Sequence, residues 1–213
     1  MNKLTLLYDV VKTMKNKELV TGVLQAELAK DQVKIFSLQN EFEKNMASGQ
    51  TKAKMTAELA CEGQPSPQEH GGRFFSRSCS DGKHRHEFAH PGHHFGLKEK
   101  LARLAFALGL LDALKVEEQA DKTIVISLRA GDLPDNMQQL LREKASHGGA
   151  HHHHRHIFLQ EFAAAADLDV LLTIFVNKSY QVEKILVTAN GTQTDPQAGQ
   201  HALAAKAELS FVN

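Results

Sequence analysis

The sequence contains very little cysteine and no excess of charge of either sign. Only Cys61 and Cys79 occur in 213 residues, which is too few for a disulfide-stabilised scaffold. The two thiols can pair, bind a metal or remain free. Lys plus Arg number 25 and Asp plus Glu number 25, whereas a dedicated nucleic-acid-binding protein usually carries a basic excess. We therefore expect neither a disulfide framework nor a nucleic acid partner.

Long apolar runs are also missing. No stretch approaches the roughly 20 apolar residues that a helix needs to cross a bilayer. The short apolar patch at the N-terminus is interrupted by Asp9 and Lys12, and it lacks the small-residue cleavage site of a secretory signal. These absences predict a cytoplasmic protein without a transmembrane segment.

Common catalytic motifs are absent from the sequence as well. It has no Gly-rich phosphate loop, no G-x-S-x-G elbow and no His-Glu-x-x-His helix. Ser76, Ser78 and Cys79 lie near histidines, but a flexible loop does not hold a nucleophile and its base in a fixed hydrogen-bond geometry. We therefore predict a protein that is not an enzyme.

Histidine is the residue that the sequence has in excess. Of its 13 histidines, 12 lie between His70 and His156, mostly in a first tract (residues 79–94) and a second tract (residues 147–156). Neutral imidazole is a common ligand of divalent transition metals, and Gly-flanked loops let several imidazoles converge on one ion. The candidate ligands are Cys79, His84, His86, His90, His93, His94, His147, His151, His152, His153, His154 and His156.

These tracts predict a non-enzymatic binding protein that buffers, stores or senses a divalent transition metal such as nickel, zinc or copper. The spacing is irregular, unlike the paired short spacings of a structural zinc site, so the metal remains open. Two alternatives remain. The tracts can be solvated low-complexity loops that bind metal only incidentally, or pH sensors that gain positive charge when the imidazoles are protonated.

Hydrophobic periodicity predicts the secondary structure. Apolar residues at helix spacing predict a short amphipathic helix over Leu4–Met14. The run from Thr51 to Cys61 alternates strictly between apolar and polar residues, as expected for an antiparallel strand with one covered and one exposed face. Cys61 is then a core residue. The other predicted strands are Leu19–Leu28, Val33–Glu43, Thr123–Leu128, Asp169–Val176, Gln181–Ala189 and Ala202–Val212.

Two more helices are predicted in the second half of the chain. Leu97–Leu114 is apolar on a wide face and is the candidate for a buried core helix. Another helix begins near Asp132–Pro134 and ends near Ser146. Because the first begins directly after His94 and the second ends directly before His147, we expect both tracts at one rim, where they form a shared site.

The order of elements predicts an α+β protein. We expect a single domain over residues 1–213, in which a curved, mostly antiparallel sheet of about seven or eight strands wraps around the buried helix. The histidine-rich loops are insertions at about 62–96 and 146–157. His201, on the apolar face of the last strand, is expected to be a hydrogen-bonded core histidine and not a ligand.

The segment Ile174–Lys184 has the sequence of a strand, an Asn-Lys turn, an aromatic residue and a second strand. This hairpin and the order of elements resemble the lipoprotein-localisation type of fold. The resemblance implies an unclosed barrel, in which a curved antiparallel sheet surrounds helices. Two further functions follow as alternatives: a carrier of an apolar small molecule or lipid in a half-barrel pocket, and a self-assembling scaffold whose sheet edges pair with other copies.

Overall fold

The structure, a computed structural model, describes residues 2–59, 106–139, 165–195 and 199–212. These residues form one eight-stranded antiparallel sheet, an N-terminal helix and shorter helical segments, which confirms the α+β class. The helix α1 spans Lys3–Lys15, and a 3-10 helix spans Ala130–Asp132. The strands are β1 (Leu19–Lys30), β2 (Val33–Asn45), β3 (Thr51–Leu59), β4 (Lys115–Glu118), β5 (Ile124–Arg129), β6 (Ala166–Val176), β7 (Val182–Asp195) and β8 (Gly199–Val212).

Local chemistry sets both ends of α1. The side chain of Asn2 caps its first turn by accepting a hydrogen bond from the backbone N–H of Leu4 at 3.0 Å. Lys12 and Lys15 lie in its last turn, where positive charge stabilises the negative end of the helix dipole. The face carrying Leu6 and Val10 is buried: Leu6 exposes 1% of its surface and Val10 exposes 7%. Tertiary packing therefore holds this helix in place.

The strand order is β3-β2-β1-β8-β7-β6-β5-β4, with β3 and β4 at the two edges. All seven ladders are antiparallel. Six of them join strands that are consecutive in this numbering, whereas the pairing of β1 with β8 joins the beginning and end of the chain. No ladder joins β3 to β4 in the part of the chain that the structure describes, so the sheet is unclosed there.

The core lies between α1 and the half of the sheet that contains β5, β6 and β7. Its buried members are Leu6, Val10, Ile124, Ile126, Val176 and Val182. Phe211 of β8 packs against the edge of this cluster. Beyond it, the same face of the sheet continues over β1, β2 and β3 without a buried side chain on β3 among residues 51–58.

Two expectations about buried elements differ from the structure. In the described part of the predicted core helix Leu97–Leu114, residues 106–113 are helical but none is buried, and Leu108 is 54% exposed. The helix in the described core is α1. Every residue of Thr51–Glu58 is exposed, so the expected covered face is wrong for this part of β3. Alternation identifies the two faces of a strand, but it does not tell whether another element covers one of them.

The predicted strands are confirmed, most of them with longer ends; Thr123–Leu128 is shifted by one residue to Ile124–Arg129, and Ala60 and Cys61 of Thr51–Cys61 lie outside the described residues. β7 extends to Asp195 and β8 begins at Gly199, so much of the expected turn over Asn190–Gly199 is strand. Gly199 adopts φ +92°, a backbone conformation that glycine reaches without steric cost. The short strand β4 was not predicted. No helix among the described residues is long and apolar enough to span a membrane.

Candidate functional site

The predicted metal ligands lie outside the described residues, and so do Cys61 and both histidine-rich insertions. The set comprises Cys79, His84, His86, His90, His93, His94, His147, His151, His152, His153, His154 and His156. His201 is the one histidine that the structure describes. Within the described ranges, no group of three or more His, Cys, Asp or Glu side chains could hold a metal ion.

Two short helical segments contact each other, and we call their meeting place the helix junction. It consists of segments 106–113 and 135–139, and residues 95–105 and 140–146, which connect them to the two tracts, lie outside the described residues. A Cβ atom on Gly109 would lie 2.8 Å from the Sδ atom of Met137, so only glycine permits this close approach without a shift of the Met137 side chain. Met137 is 3% exposed and Leu133 is 4% exposed. Met137 is therefore the buried residue of the junction, and Leu133 is buried just before segment 135–139.

An ion pair fixes the directions in which the two segments leave the sheet. Lys115 begins β4 and Asp132 follows β5, and their Nζ and Oδ2 atoms lie 2.6 Å apart. The hydrogen bond from Lys115 lowers the pKa of Asp132, and the charges of Lys115 and Arg129 add to this effect. Segment 106–113 thus arrives at the same end of the β4–β5 hairpin from which segment 135–139 departs.

The N-terminal helix is tied to the same junction. The Nζ atom of Lys3 donates hydrogen bonds to the backbone carbonyls of Leu111 and Asp112, each at 3.2 Å. These carbonyls lie in the last turn of segment 106–113, where a helix leaves its C=O groups without internal partners and where positive charge is favourable. Lys3, in the first turn of α1, therefore supplies hydrogen bonds to the free carbonyl groups at the end of segment 106–113.

An open cleft of about 590 Å³ lies at the helix junction. Its charged lining residues are Lys3, Asp112, Lys115, Glu117 and Asp132. Lys115 pairs with Asp132 and Lys3 binds backbone carbonyls, so positive groups already occupy part of the cleft. This arrangement positions the flanking segments, and its mixed charges do not form a carboxylate cage for a cation.

His201 makes a contact that sequence reasoning did not identify. Its Nδ1 atom lies 2.6 Å from Oδ2 of Asp31, in the turn between β1 and β2, and its side chain is 20% exposed. Because an ionised carboxylate only accepts hydrogen bonds, Nδ1 carries a hydrogen and donates a hydrogen bond to the Asp31 carboxylate. The expectation of a hydrogen-bonded histidine is met, although at a half-exposed site. Pairing of β1 with β8 creates the contact, and no local sequence signal indicates that pairing.

The second surface of interest is the apolar face of β1, β2 and β3. Ladder partners share a face of the sheet, so the rows Gly22–Phe42–Ala53 and Ala26–Leu38–Ala57 run across all three strands. The ring of Phe42 lies against Gly22, since a Cβ atom on this glycine would be 2.8 Å from it. The exposed side chains of β3 and the half-buried ones of β2 leave this face accessible.

No protein-family model matches the chain, and no curated protein gives a significant match.

Proposed function

We propose that the chain is a non-enzymatic binding protein whose two histidine tracts together hold a divalent transition metal ion. The contact between Gly109 and Met137 at the helix junction carries this proposal. This contact joins two helical segments of the stretch between the tracts, while the residues next to each tract, 95–105 and 140–146, lie outside the described residues. A site shared by both tracts requires the chain between them to fold back on itself, as it does at this junction.

The chemistry of the ligands supports nickel, zinc or copper. Imidazole suits all three metals, and Cys79 would add one thiolate. Bringing ligands from two parts of the chain to one metal ion costs conformational entropy, and this entropy cost grows only slowly with the length of the loop between them. The cost is smaller where the chain between the tracts already folds back on itself. Binding would therefore reinforce contacts that the folded chain already makes at the junction.

Calorimetric titration of the full chain with Zn²⁺, Ni²⁺ and Cu²⁺ tests the proposal. We expect binding by the wild type and its loss when the histidines of either tract are replaced by serine, because one site needs both tracts. The matched control is His201→Asn, which removes a histidine outside both tracts and should leave metal affinity unchanged. Equal weak affinity in the wild type and in a variant with both tracts replaced would refute the proposal. If a variant that lacks one tract still binds half as many metal ions as the wild type, the two tracts bind metal independently.

We propose binding of an apolar ligand as a second function, because the apolar face of β1, β2 and β3 is accessible. This face adjoins the packed core at Phe211, and its half-buried side chains include Leu38. An apolar molecule on this surface would remove both its own and the protein's apolar area from water.

Extraction and mass spectrometry of the purified protein test for a bound lipid. Displacement of a fluorescent fatty acid then measures affinity in two variants. Leu38→Gln places a polar group on the apolar face and should weaken binding, whereas Gln39→Ala changes the opposite face of the same strand and should not. Equal binding by both variants, or no binding by the wild type, would exclude this function.

A further inference from the structure

The outer edge of β3 is unpaired in the part of the chain that the structure describes. All residues of Thr51–Glu58 are exposed, and Met55 is 36% exposed. An edge strand of this length presents a row of free backbone N–H and C=O groups, which is a template for another strand.

The hairpin between β2 and β3 determines which backbone groups point outward. The N–H of Asn45 donates to the carbonyl of Gln50 at 2.9 Å, so these two residues form a hydrogen-bonded pair. Because such pairs alternate along an antiparallel ladder, the even-numbered residues of β3 bond to β2. The outward-pointing groups therefore belong to Thr51, Ala53, Met55, Ala57 and Leu59.

Ala53 and Ala57 lie symmetrically on either side of Met55, and Lys52 and Glu58, of opposite charge, lie at equal distances from it. If a second copy of the strand lies antiparallel with Met55 opposite Met55, Ala53 faces Ala57 and Thr51 faces Leu59. These residues carry the outward backbone groups, so each of these pairs can form two hydrogen bonds. On the polar face, Lys52 of each copy then lies opposite Glu58 of the other.

We propose that two copies of this chain form a symmetric dimer in which their β3 strands pair antiparallel about Met55. The sheet then continues from one copy into the other, and the same patch serves both copies, as two-fold symmetry requires. This inference concerns assembly and goes beyond the proposed binding functions.

Charge complementarity selects this partner and this register. Lys52 is 85% exposed while its Nζ atom lies 3.1 Å from Glu43 of the neighbouring strand, so it can also contact an acidic group across the edge. Glu58 accepts a hydrogen bond from Ser37 at 3.3 Å and retains further acceptor capacity. Both residues fall in non-hydrogen-bonded pairs, where opposing side chains lie closest.

Alternative registers are less favourable. A shift by two residues in one direction places Lys54 opposite Lys54, and like charges directly opposite each other are destabilising. The opposite shift places Lys54 against Glu58, but among the described residues of β3 it pairs only residues 53–59. The register about Met55 uses all of Thr51–Leu59.

Sedimentation equilibrium of the full chain over a range of concentrations, with EDTA to remove metal-bridged association, tests the dimer. Lys52→Glu should raise the dissociation constant about tenfold or more, because two attractive pairs become repulsive. The double variant K52E/E58K restores both pairs in reversed order and should dimerise like the wild type. Lys54→Glu is the matched control, since Lys54 faces Thr56 in this register and the dimer should persist. Circular dichroism confirms that each variant is folded.

A monomer at all concentrations would overturn the proposal, as would a dimer that tolerates Lys52→Glu or dissociates with Lys54→Glu. Cysteine cross-linking gives an independent measurement in a chain with Cys61→Ser and Cys79→Ser. Met55→Cys lies on the two-fold axis and should form an intermolecular disulfide, because Cα atoms of a hydrogen-bonded pair lie about 5.5 Å apart. Thr56→Cys is offset from its own copy and should not. Equal cross-linking of both would exclude the register.

Discussion

Asp31 and His201 connect the turn between β1 and β2 to the first residues of β8. In addition to the 2.6 Å contact with His201, the Asp31 carboxylate accepts a hydrogen bond from the backbone N–H of Ala202 at 2.8 Å. The Asp31 N–H in turn donates to the Ala202 carbonyl at 2.8 Å. Asp31 and Gln32 have φ values of +50° and +67°, the mirror-image turn conformation that suits a two-residue hairpin and that aspartate tolerates.

Replacement of Asp31 by Asn should lower stability at neutral pH and change its pH dependence. The hydrogen bonds from His201 and Ala202 lower the pKa of Asp31 below its ordinary value of 3.8. A lowered folded-state pKa adds stability above the unfolded-state pKa, and this stability is lost as pH falls through the folded value. The gap in urea midpoint between the wild type and Asp31→Asn should therefore be full at pH 7 and close progressively below about pH 4.

The partner variant provides the control for this prediction. In a His201→Asn background, Asp31→Asn should lower the urea midpoint less than it does in the wild type. The hydrogen bond from His201, the main cause of the lowered Asp31 pKa, is already absent there. Equal stability of Asp31→Asn and the wild type at pH 7 would contradict the role assigned to this contact.

Truncation of Leu6 should test the position of α1 in the core. Leu6 is 1% exposed and packs in the cluster with Ile126 and Val176. Leu6→Ala should reduce the free energy of unfolding by about 2–5 kcal/mol, the usual cost of a buried Leu-to-Ala change. Leu4→Ala on the same helix is the control: Leu4 is 58% exposed, so its truncation should change stability by less than about 0.5 kcal/mol. Similar effects of the two variants in urea unfolding would place α1 off the core.

Gly22→Ala should destabilise the centre of the sheet. The added methyl group would lie 2.8 Å from the Ser210 carbonyl oxygen and 2.8 Å from the Phe42 ring. Since the carbonyl belongs to the backbone of β8, the strands must separate locally, at a cost of about 1–3 kcal/mol. Gly131→Ala is the control, because nothing lies within 4 Å of the position its methyl group would occupy. A lower thermal melting temperature of the first variant alone is the expected result.

Metal binding should raise the melting temperature in a pH-dependent way. A ligand that binds the folded state at 100 times its dissociation constant stabilises by about 2.7 kcal/mol. Metal needs neutral imidazole, so this gain is present above the histidine pKa and is largely lost below about pH 5.5. Differential scanning calorimetry with and without Zn²⁺ at pH 7.5 and pH 5 measures it. The same increase at both pH values would show that imidazole is not the ligand.

Most strands could be predicted from the sequence because alternation of apolar and polar residues is a local property. The regular pattern of Ala53, Met55 and Ala57 identified a strand, but the exposure of both faces of residues 51–58 depends on the whole fold. Likewise, apolar spacing favoured Leu97–Leu114 as the core helix, whereas α1 fills the described core because it packs against β5 and β6.

Contacts between distant parts of the chain could not be predicted. Asp31 and His201 meet only because β1 pairs with β8, a pairing between segments separated by most of the chain. The expected shared rim concerned the beginning of the first helix and the end of the second, which lie outside the described residues, so the meeting of Gly109 and Met137 is a different contact that was not predicted. The atoms that make this contact depend on the β4–β5 hairpin, and β4 is too short to give a clear periodic signal.

The position of β8 has a consequence for synthesis on the ribosome. β8 follows the other described strands along the chain but lies inside the sheet, between β1 and β7. Until it is synthesised, the described strands pair only within β1–β3 and within β4–β7, and β1 and β7 each keep an open edge that β8 will later cover. Such edges are prone to pairing with other chains. Loss of the single strand β8 would therefore divide the described sheet into two parts, β1–β3 and β4–β7.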